Sequence, residues 1–429
     1  MREIRYDQLQ ETLYYEQLDN GLEVYILPKP EFQQAFATFS TKYGSIDREF
    51  VVPGQNQQIV VPDGIAHFLE HKMFEEEDGD VFRDFAKYGA SANAFTTFDM
   101  TTYLFSATDH LKENLEILLD FVQRPYLTDE NVEKEKGIIG QEIRMYDDNP
   151  DWRSYFGVLQ GLFQEHPIRI DIAGTVESIG KITKELLMDC YRTFYHPSNM
   201  LLFAVGPFNP QEVIRLVADN QARKQFSPQG EIIRKYPQEP AEAAKPRVET
   251  RLSVSIPRCL FGFKEVNPGV SGRALLEREM ATAVGFDALF SRSAELFNRL
   301  FNEGLIDKGF SWEYEVTTGY GFSVIGGNTK DPDRMMEIIN EELDKVRRQG
   351  IPADAFAMSR KKLIGKFLEG IDSPRYIARN FTSYKFKDAD FFDSITVLEK
   401  LTHEQVNRRI AEHFQPAAQT VSVVLPSSR

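Results

Sequence analysis

Along the first half of the chain, the hydrophobic positions switch between a period of two and a period near 3.6. Residues 21–28 (GLEVYILP) and 34–43 (QAFATFSTKY) have the β-branched and aromatic runs of strands, with a turn between them. Asp63-Gly64 opens a helix, and residues 90–107 (ASANAFTTFDMTTYLFSA) predict a β-hairpin turning near Asp99. Asp109 is placed to cap a helix with apolar positions Leu111, Leu115, Leu118 and Val122. Another helix starts at Thr128 and runs to about Asp147, and residues 199–206 (NMLLFAVG) predict a closing strand.

The stretch 227–248 is rich in Pro, Ala and charge and has no periodicity, which predicts a linker. After it come a predicted strand at 249–263 and helices near 272–290 and 293–303. Residues 311–345 then read as a hairpin followed by an Asp-capped amphipathic helix, the order already met at 92–124. The expected fold is α+β. It has two similar half-domains, each a mostly antiparallel sheet packed with helices: an N-terminal domain 1–228, a linker 229–248 and a C-terminal domain 249–429.

Composition narrows the function. A chain of 429 residues is too long for one ordinary core, and 42% hydrophobic with 27% charged residues is a globular balance. No window approaches the ~18 uninterrupted apolar residues that span a bilayer, so no membrane segment is expected. A net charge of −15 argues against nucleic acid, which needs a basic face. The start, Met1 to Asp7, lacks the apolar core of a secretory signal, and Cys190 and Cys259 are far apart without C-x-x-C spacing. These features predict reduced thiols in a cytoplasmic protein.

The chemistry concentrates in His67-Phe68-Leu69-Glu70-His71. On a helix the two imidazoles, four residues apart, stand one above the other with a carboxylate beside them. This is the inverted zinc-protease motif H-x-x-E-H, which holds a divalent metal and keeps a general base next to it. With seven His in 429 residues, such a pentamer arises by chance in about one chain in a hundred.

Two imidazoles leave zinc short of a third protein ligand. The helix from Thr128 offers candidates. With Val132, Ile139, Ile143 and Tyr146 on its apolar stripe, Glu135 and Glu142 fall roughly 60° and 80° to one side. Glu130 and Glu133 point to solvent. The plainer reading is ion pairing of these carboxylates with Lys134, Lys136 or Arg144; with an H-x-x-E-H helix in search of an oxygen ligand, one of the two becomes the third ligand.

Taken together, His67-x-x-Glu70-His71 and Glu142, which follows 71 residues after His71 in the run Glu135-Lys136-Gly137-Ile138-Ile139-Gly140-Gln141-Glu142, resemble the M16 metalloproteases (insulinase, pitrilysin and mitochondrial-processing-peptidase-like enzymes). The hairpin from Asn93 to Tyr103 is similar to the family's N-A-x-T-x-x-D-x-T-x-Y stretch. The resemblance implies a zinc endopeptidase acting on peptides or unfolded segments, with one Zn2+ per chain held by His67, His71 and Glu142. It implies Glu70 as the base that activates the attacking water and Glu135 as a supporting carboxylate. Ser91, Ala92, Asn93, Ala94 and Phe95 would then form the edge strand on which the peptide substrate is laid. The length resembles a single short-form bacterial subunit that works beside a homologous partner.

One departure bears on activity. The family's second half carries an Arg and a Tyr, in a context like L-R-E-x-x-G-L-A-Y, that hold the scissile carbonyl. Here the matching run begins Leu300-Phe301-Asn302-Glu303-Gly304, with Leu300 or Phe301 at the Arg position and Asp307 at the Tyr position. Arg299 and Tyr314 are out of phase. A homologous non-catalytic subunit is therefore expected to supply Arg and Tyr in trans. The competing readings are an inactive scaffold subunit of the same family and a metal-dependent factor in a protein-modification pathway. Acidic runs at Glu75-Glu76-Glu77-Asp78 and Asp147-Asp148 would favour basic peptides if they line the cavity.

Overall fold

The computed structural model describes residues 1–55, 58–77 and 79–427. Two compact units are present, and each draws on both halves of the chain. The first comprises Met1–Ile143, Asp171–Tyr236 and Ile371–Ser383; the second comprises Arg144–Ile170, Pro237–Gly370 and Tyr384–Arg429. Boundaries at 228 and 248 follow the chain, whereas the units exchange segments across them. Part of the expected linker is also pinned. Ile233–Arg234 pair antiparallel with Phe50 and Val51, and Arg234 and Tyr236 both reach the buried carboxylate of Asp47.

The first unit is built on a seven-stranded sheet. Its strand order is Arg2–Tyr6, Glu11–Gln17, Glu23–Pro28, Met200–Gly206, Ala35–Thr41, Thr101–Ala107, Ser91–Thr96. Met200–Gly206 is not a closing strand but a central one. It runs parallel to Glu23–Pro28 and antiparallel to Ala35–Thr41, separating the two strands that the pattern placed on either side of a turn. Every residue of Met200–Gly206 and of Ala35–Thr41 is buried, as a strand covered on both faces requires. One face carries Val24, Ile26, Ala37, Phe39, Tyr103, Phe105, Leu202 and Ala204 into the main core. On the opposite side, Phe381 of helix Pro374–Phe386 packs against Tyr25 and Phe203 at ring distances of 5.0 and 4.4 Å.

The second unit repeats the plan. Its sheet runs Arg247–Leu252, Gln419–Pro426, Arg258–Lys264, Gly321–Asn328, Ser311–Val316. Here too the last strand is inserted between two earlier consecutive ones, parallel to Arg247–Leu252 and antiparallel to Arg258–Lys264. The predicted strand at 249–263 is two strands, because Pro257 cannot donate to a ladder and Leu252 to Pro257 turns the chain back. Hairpin Ser311–Asn328 leads into helix Pro332–Gln349, capped by Asp331 as expected. In the first unit the matching helix, Leu111–Val122, starts differently: His110 is its cap in a left-handed conformation, and Asp109 accepts from the His110 amide instead.

Helix Pro150–Leu162, from the first half of the chain, covers the second sheet. Gly157 and Gly161 let it approach closely, since a Cβ at either would run into Ser422 or Thr420. This unit also buries a polar cluster. Glu265 accepts from Arg409 and from the Tyr314 hydroxyl, with His413 alongside and donor or acceptor Ser323 beyond it.

Burial alone would raise the Glu265 pKa, but His413, Arg409 and Tyr314 outweigh it and hold the carboxyl at about 2. A folded pKa below the reference of 4.5 stabilises the unit fully above pH 4.5, and that contribution fades as pH falls towards 2. The difference corresponds to roughly 3 kcal/mol. Glu265→Gln should therefore lower the denaturant midpoint at pH 7, and its deficit against wild type should narrow between pH 4.5 and pH 2. A deficit that is constant across that window would show that ionisation of Glu265 contributes nothing.

Candidate metal centre

Helix Ile65–Lys72 begins at Gly64, whose φ of 88° is the left-handed conformation that suits glycine. A Cβ there would collide with the Ala173 carbonyl, so the helix start lies tight against the loop before Thr175. Ile65, Ala66, Phe68 and Leu69 enter the core, which turns His67, Glu70 and His71 toward helix Asp129–Asp147 and strand Ser91–Thr96. On that second helix Val132, Ile139 and Ile143 are buried, as the apolar stripe predicts. Glu135 is buried beside them and Glu142 half-buried, while Glu130 and Glu133 face solvent. Tyr146 lies past the boundary of the unit and stacks on Trp152.

The structure brings His67, His71 and Glu142 together, with one ligand atom from each within 4.8 Å of the others. His67 Nε2 is 3.8 Å from Glu142 Oε1, and His71 Nε2 is 3.6 Å from Glu142 Oε2. Both distances are too long for hydrogen bonds. They are close to the separation of roughly 3.3 Å expected between ligands placed about 2 Å from a tetrahedral ion. The donor set of two imidazoles and one carboxylate, with one position left open, also suits zinc. Among the described residues, the buried Nδ1 of His67 has no partner. The residues present fit a metal.

Electrostatics set the two imidazoles apart. Burial, together with the neighbouring His71, pushes His67 down to about 3, so its imidazole is neutral with a lone pair to offer. His71 is driven the other way: burial would lower it, but the hydrogen bond to Glu135 and the charges of Glu70, Glu135 and Glu142 raise it. Nδ1 of His71 meets Glu135 Oε1 at 3.0 Å, the carboxylate–imidazole contact that orients a ligating ring. Glu135 in turn is 4.0 Å from Nζ of the fully buried Lys72. Burial would raise Glu135 too, yet its bond to His71 keeps it low.

Glu70 stands apart from the other carboxylates. Its burial, with Glu142 adding to the effect, pushes it up to about 7 despite a hydrogen bond from Thr96 Oγ1 at 2.6 Å. That bond occupies Oε2, and among the described residues Oε1 has no partner. Thr96 went unassigned in the sequence, although strand alternation puts it on the face of Ala92 and Ala94. Nothing in the sequence marks Lys72 as buried.

Ser91, Ala92, Asn93, Ala94 and Phe95 lie on the last strand of the sheet. Among the described residues it pairs only with Thr101–Ala107, which leaves its outer edge without a neighbouring strand, although the Ala94 amide there already donates to Asn93 Oδ1 at 2.9 Å. In the second unit, Leu300 is fully buried and Phe301 is exposed. Asp307 accepts from the Gly309 amide at 2.7 Å. Arg299 is engaged by Glu303 and Glu341, and the Tyr314 hydroxyl by Glu265. The acidic runs are largely matched locally: Glu75 by Lys72, Glu76 by Arg124 and Asp147 by Arg153. Asp78 lies outside the described residues.

Comparison with known proteins identifies the family. The model of Insulinase (Peptidase family M16) matches residues 61–176, and that of the Peptidase M16 inactive domain matches 181–363. Across 428 residues and 100% of both chains, the protein is 52% identical to the uncharacterized zinc protease YmfH of Bacillus subtilis. The chain belongs to peptidase family M16. An M16-like peptidase from Alicyclobacillus acidocaldarius has a similar crystal structure, with a TM-score of 0.95 and 45% identity over 99% of this chain and 100% of that one. Pitrilysin shares the M16 fold at a TM-score of 0.76 and 16% identity, and this chain covers 47% of its length. His67, Glu70, His71, Glu135 and Glu142 all fall within the peptidase match.

Glu142→Gln should lower zinc content measured by elemental analysis, because a neutral amide oxygen is the weaker ligand. Glu135→Ala should leave the three candidate ligands in place yet weaken zinc affinity about 10–100-fold, by freeing the His71 ring. Competition with a chelator reads both effects. Unchanged affinity in Glu135→Ala would reduce that residue to an ion pair, and full occupancy in Glu142→Gln would move the third ligand elsewhere.

Proposed function

We propose that this chain is a zinc-dependent endopeptidase that hydrolyses peptides or unfolded segments. One zinc per chain would be held by His67, His71 and Glu142. The observation that carries this reading is the pair of 3.6 and 3.8 Å separations between Glu142 and the two imidazoles, too long for bonding to each other and suited to sharing an ion. When bound, zinc supplies Lewis acidity at the open position.

The chain's own residues do the rest. Glu70 takes a proton on Oε1 from the water that adds to the peptide carbonyl, and returns it to the amine as the C–N bond breaks. A pKa raised to about 7 suits both steps at neutral pH. Thr96 fixes the Glu70 carboxyl through Oε2, and Glu135 orients His71. The free edge of Ser91–Thr96 accepts the substrate as an added strand, so main-chain bonds give affinity without demanding a sequence. An extended peptide is required, which excludes folded proteins.

Catalysis also needs donors aimed at the developing oxyanion, and the loss of one costs roughly 10²–10³ in rate. With Leu300, Phe301 and Asp307 at the family's Arg and Tyr positions, we infer that a homologous subunit supplies them. The two free thiols, both buried, are compatible with a reducing compartment such as the cytoplasm. A second reading, an inactive scaffold subunit, is favoured by the inactive-domain match at 181–363, which lies outside the metal residues.

Two measurements decide between them. Glu70→Gln should keep its zinc and lose peptide hydrolysis by about 10²–10⁴; turnover at the wild-type rate would remove Glu70 from the chemistry. A quenched peptide should be cut slowly by this chain alone and rapidly after mixing with a homologous subunit bearing Arg and Tyr. High activity from this chain alone would place the clamp within it. No activity under any combination, with zinc bound, would favour the scaffold.

A further inference from the structure

The strand that would carry the peptide has a second face, and that face is basic. Side chains of Ser91–Thr96 alternate: Thr96 points to Glu70, whereas Phe95 points to the opposite side of the sheet, where helix Pro374–Phe386 lies. Phe95, Thr97 and Met100 of the hairpin and Arg375, Tyr376 and Arg379 of the helix line a cavity of about 450 Å³. No acidic side chain lines it.

Both arginines are exposed, in a protein whose net charge is −15. Arg379 lies over the Phe95 ring at 5.0 Å and Arg375 over the Phe36 ring at 5.9 Å. Among the described residues, neither guanidinium meets a carboxylate. Most of the other arginines in the chain find an acid close by. Arg375 is also the second residue of its helix, where the aligned amides already present positive charge and a cation is unfavourable. Among the described residues, the two guanidinium cations have aromatic rings beneath them and no carboxylate against them.

We propose that this cavity is a specificity subsite for a carboxylate of the peptide substrate. The proposal rests on the edge-strand binding mode inferred above. A peptide paired with Ser91–Thr96 alternates its side chains in step with its neighbour. Residues beside Thr96 turn to Glu70 and the metal ligands; residues beside Phe95 turn into the cavity, where a planar carboxylate can be gripped by one or both guanidinium groups. Cleavage and selection are thereby assigned to opposite faces of one strand. The carboxylate comes from an Asp or Glu side chain or from the peptide's own C-terminus; both present the same group to the arginines.

The test uses zinc-loaded protein carrying Glu70→Gln, so that binding is read by fluorescence anisotropy without turnover. Extended peptides differing only by Glu or Gln at each position, with free or amidated C-termini, are the probes. The Glu or free-carboxylate peptide should bind about tenfold more tightly than its neutral counterpart. Adding Arg375→Gln and Arg379→Gln should abolish that preference, and Arg375→Glu with Arg379→Glu should turn it toward Lys. Retention of the preference after amidation assigns it to a side chain; its loss assigns it to the terminus. Equal binding of charged and neutral peptides, no binding of either, or a preference that survives the double variant overturns the subsite. Peptide hydrolysis by the wild-type protein is scored separately: cleavage without acidic preference removes the subsite alone, and acidic preference without cleavage removes the peptidase reading alone.

Discussion

Three carboxylates, Glu70, Glu135 and Glu142, share one partly buried space with two imidazoles, and the cost of burying negative charge governs how the site is built. Each carboxylate meets that cost differently. Glu135 faces His71 and lies near the buried ammonium of Lys72, and stays ionised. Glu70 has a single hydrogen bond, from a hydroxyl, and the more distant His71 for support, and burial moves it toward its protonated form. Glu142 faces His67 and His71 across distances that leave room for an ion. In the proposed peptidase, these three environments would make one residue type serve as an orienting group, a proton carrier and a ligand. A cation between Glu142 and the imidazoles would complete the balance.

The geometry depends on two helices and one strand being held rigidly, and the duplicated sheet provides that. Both sheets insert their last strand in sequence between two consecutive earlier strands, Glu23–Pro28 and Ala35–Thr41 in the first and Arg247–Leu252 and Arg258–Lys264 in the second, parallel to one and antiparallel to the other, with a hairpin at the far edge. In the first unit that edge meets the metal helix through Thr96 and Glu70. In the second, the corresponding interior is taken up by Glu265, Arg409 and His413, a closed network with its charges matched. One topology thus supports a candidate metal centre in one copy and a closed structural cluster in the other.

Much of the candidate site's geometry is legible in the sequence because its signals are local. The H-x-x-E-H spacing needs only a helix, and the apolar stripe of Val132, Ile139 and Ile143 places Glu135 and Glu142 at its border. The hairpin at 91–107 and the Asp331 cap were readable for the same reason. What escaped depends on partners distant in sequence. Met200–Gly206 looks like any apolar strand, and only the tertiary fold inserts it between Glu23–Pro28 and Ala35–Thr41. Strands Arg2–Tyr6 and Glu11–Gln17 are largely polar and half-exposed, so they carry little hydrophobic signal. Arg375 and Arg379 read as ordinary surface charges on an unassigned helix until that helix is found beside Phe95.

The exchange of segments between the units has a consequence for biosynthesis. A ribosome that has released the first 236 residues has made every strand of the first sheet, but not Ile371–Ser383, which covers its other face. Until that stretch emerges, Tyr25 and Phe203 remain exposed on the nascent chain. Helix Pro150–Leu162 meanwhile waits for a sheet whose last strand, Gln419–Pro426, is made more than 250 residues after it. Each unit needs a segment made long after its first strands, so the two units cannot fold strictly one after the other as many two-domain proteins do. The nascent protein would pass through a long interval with apolar surface uncovered, in which chaperones have work to do.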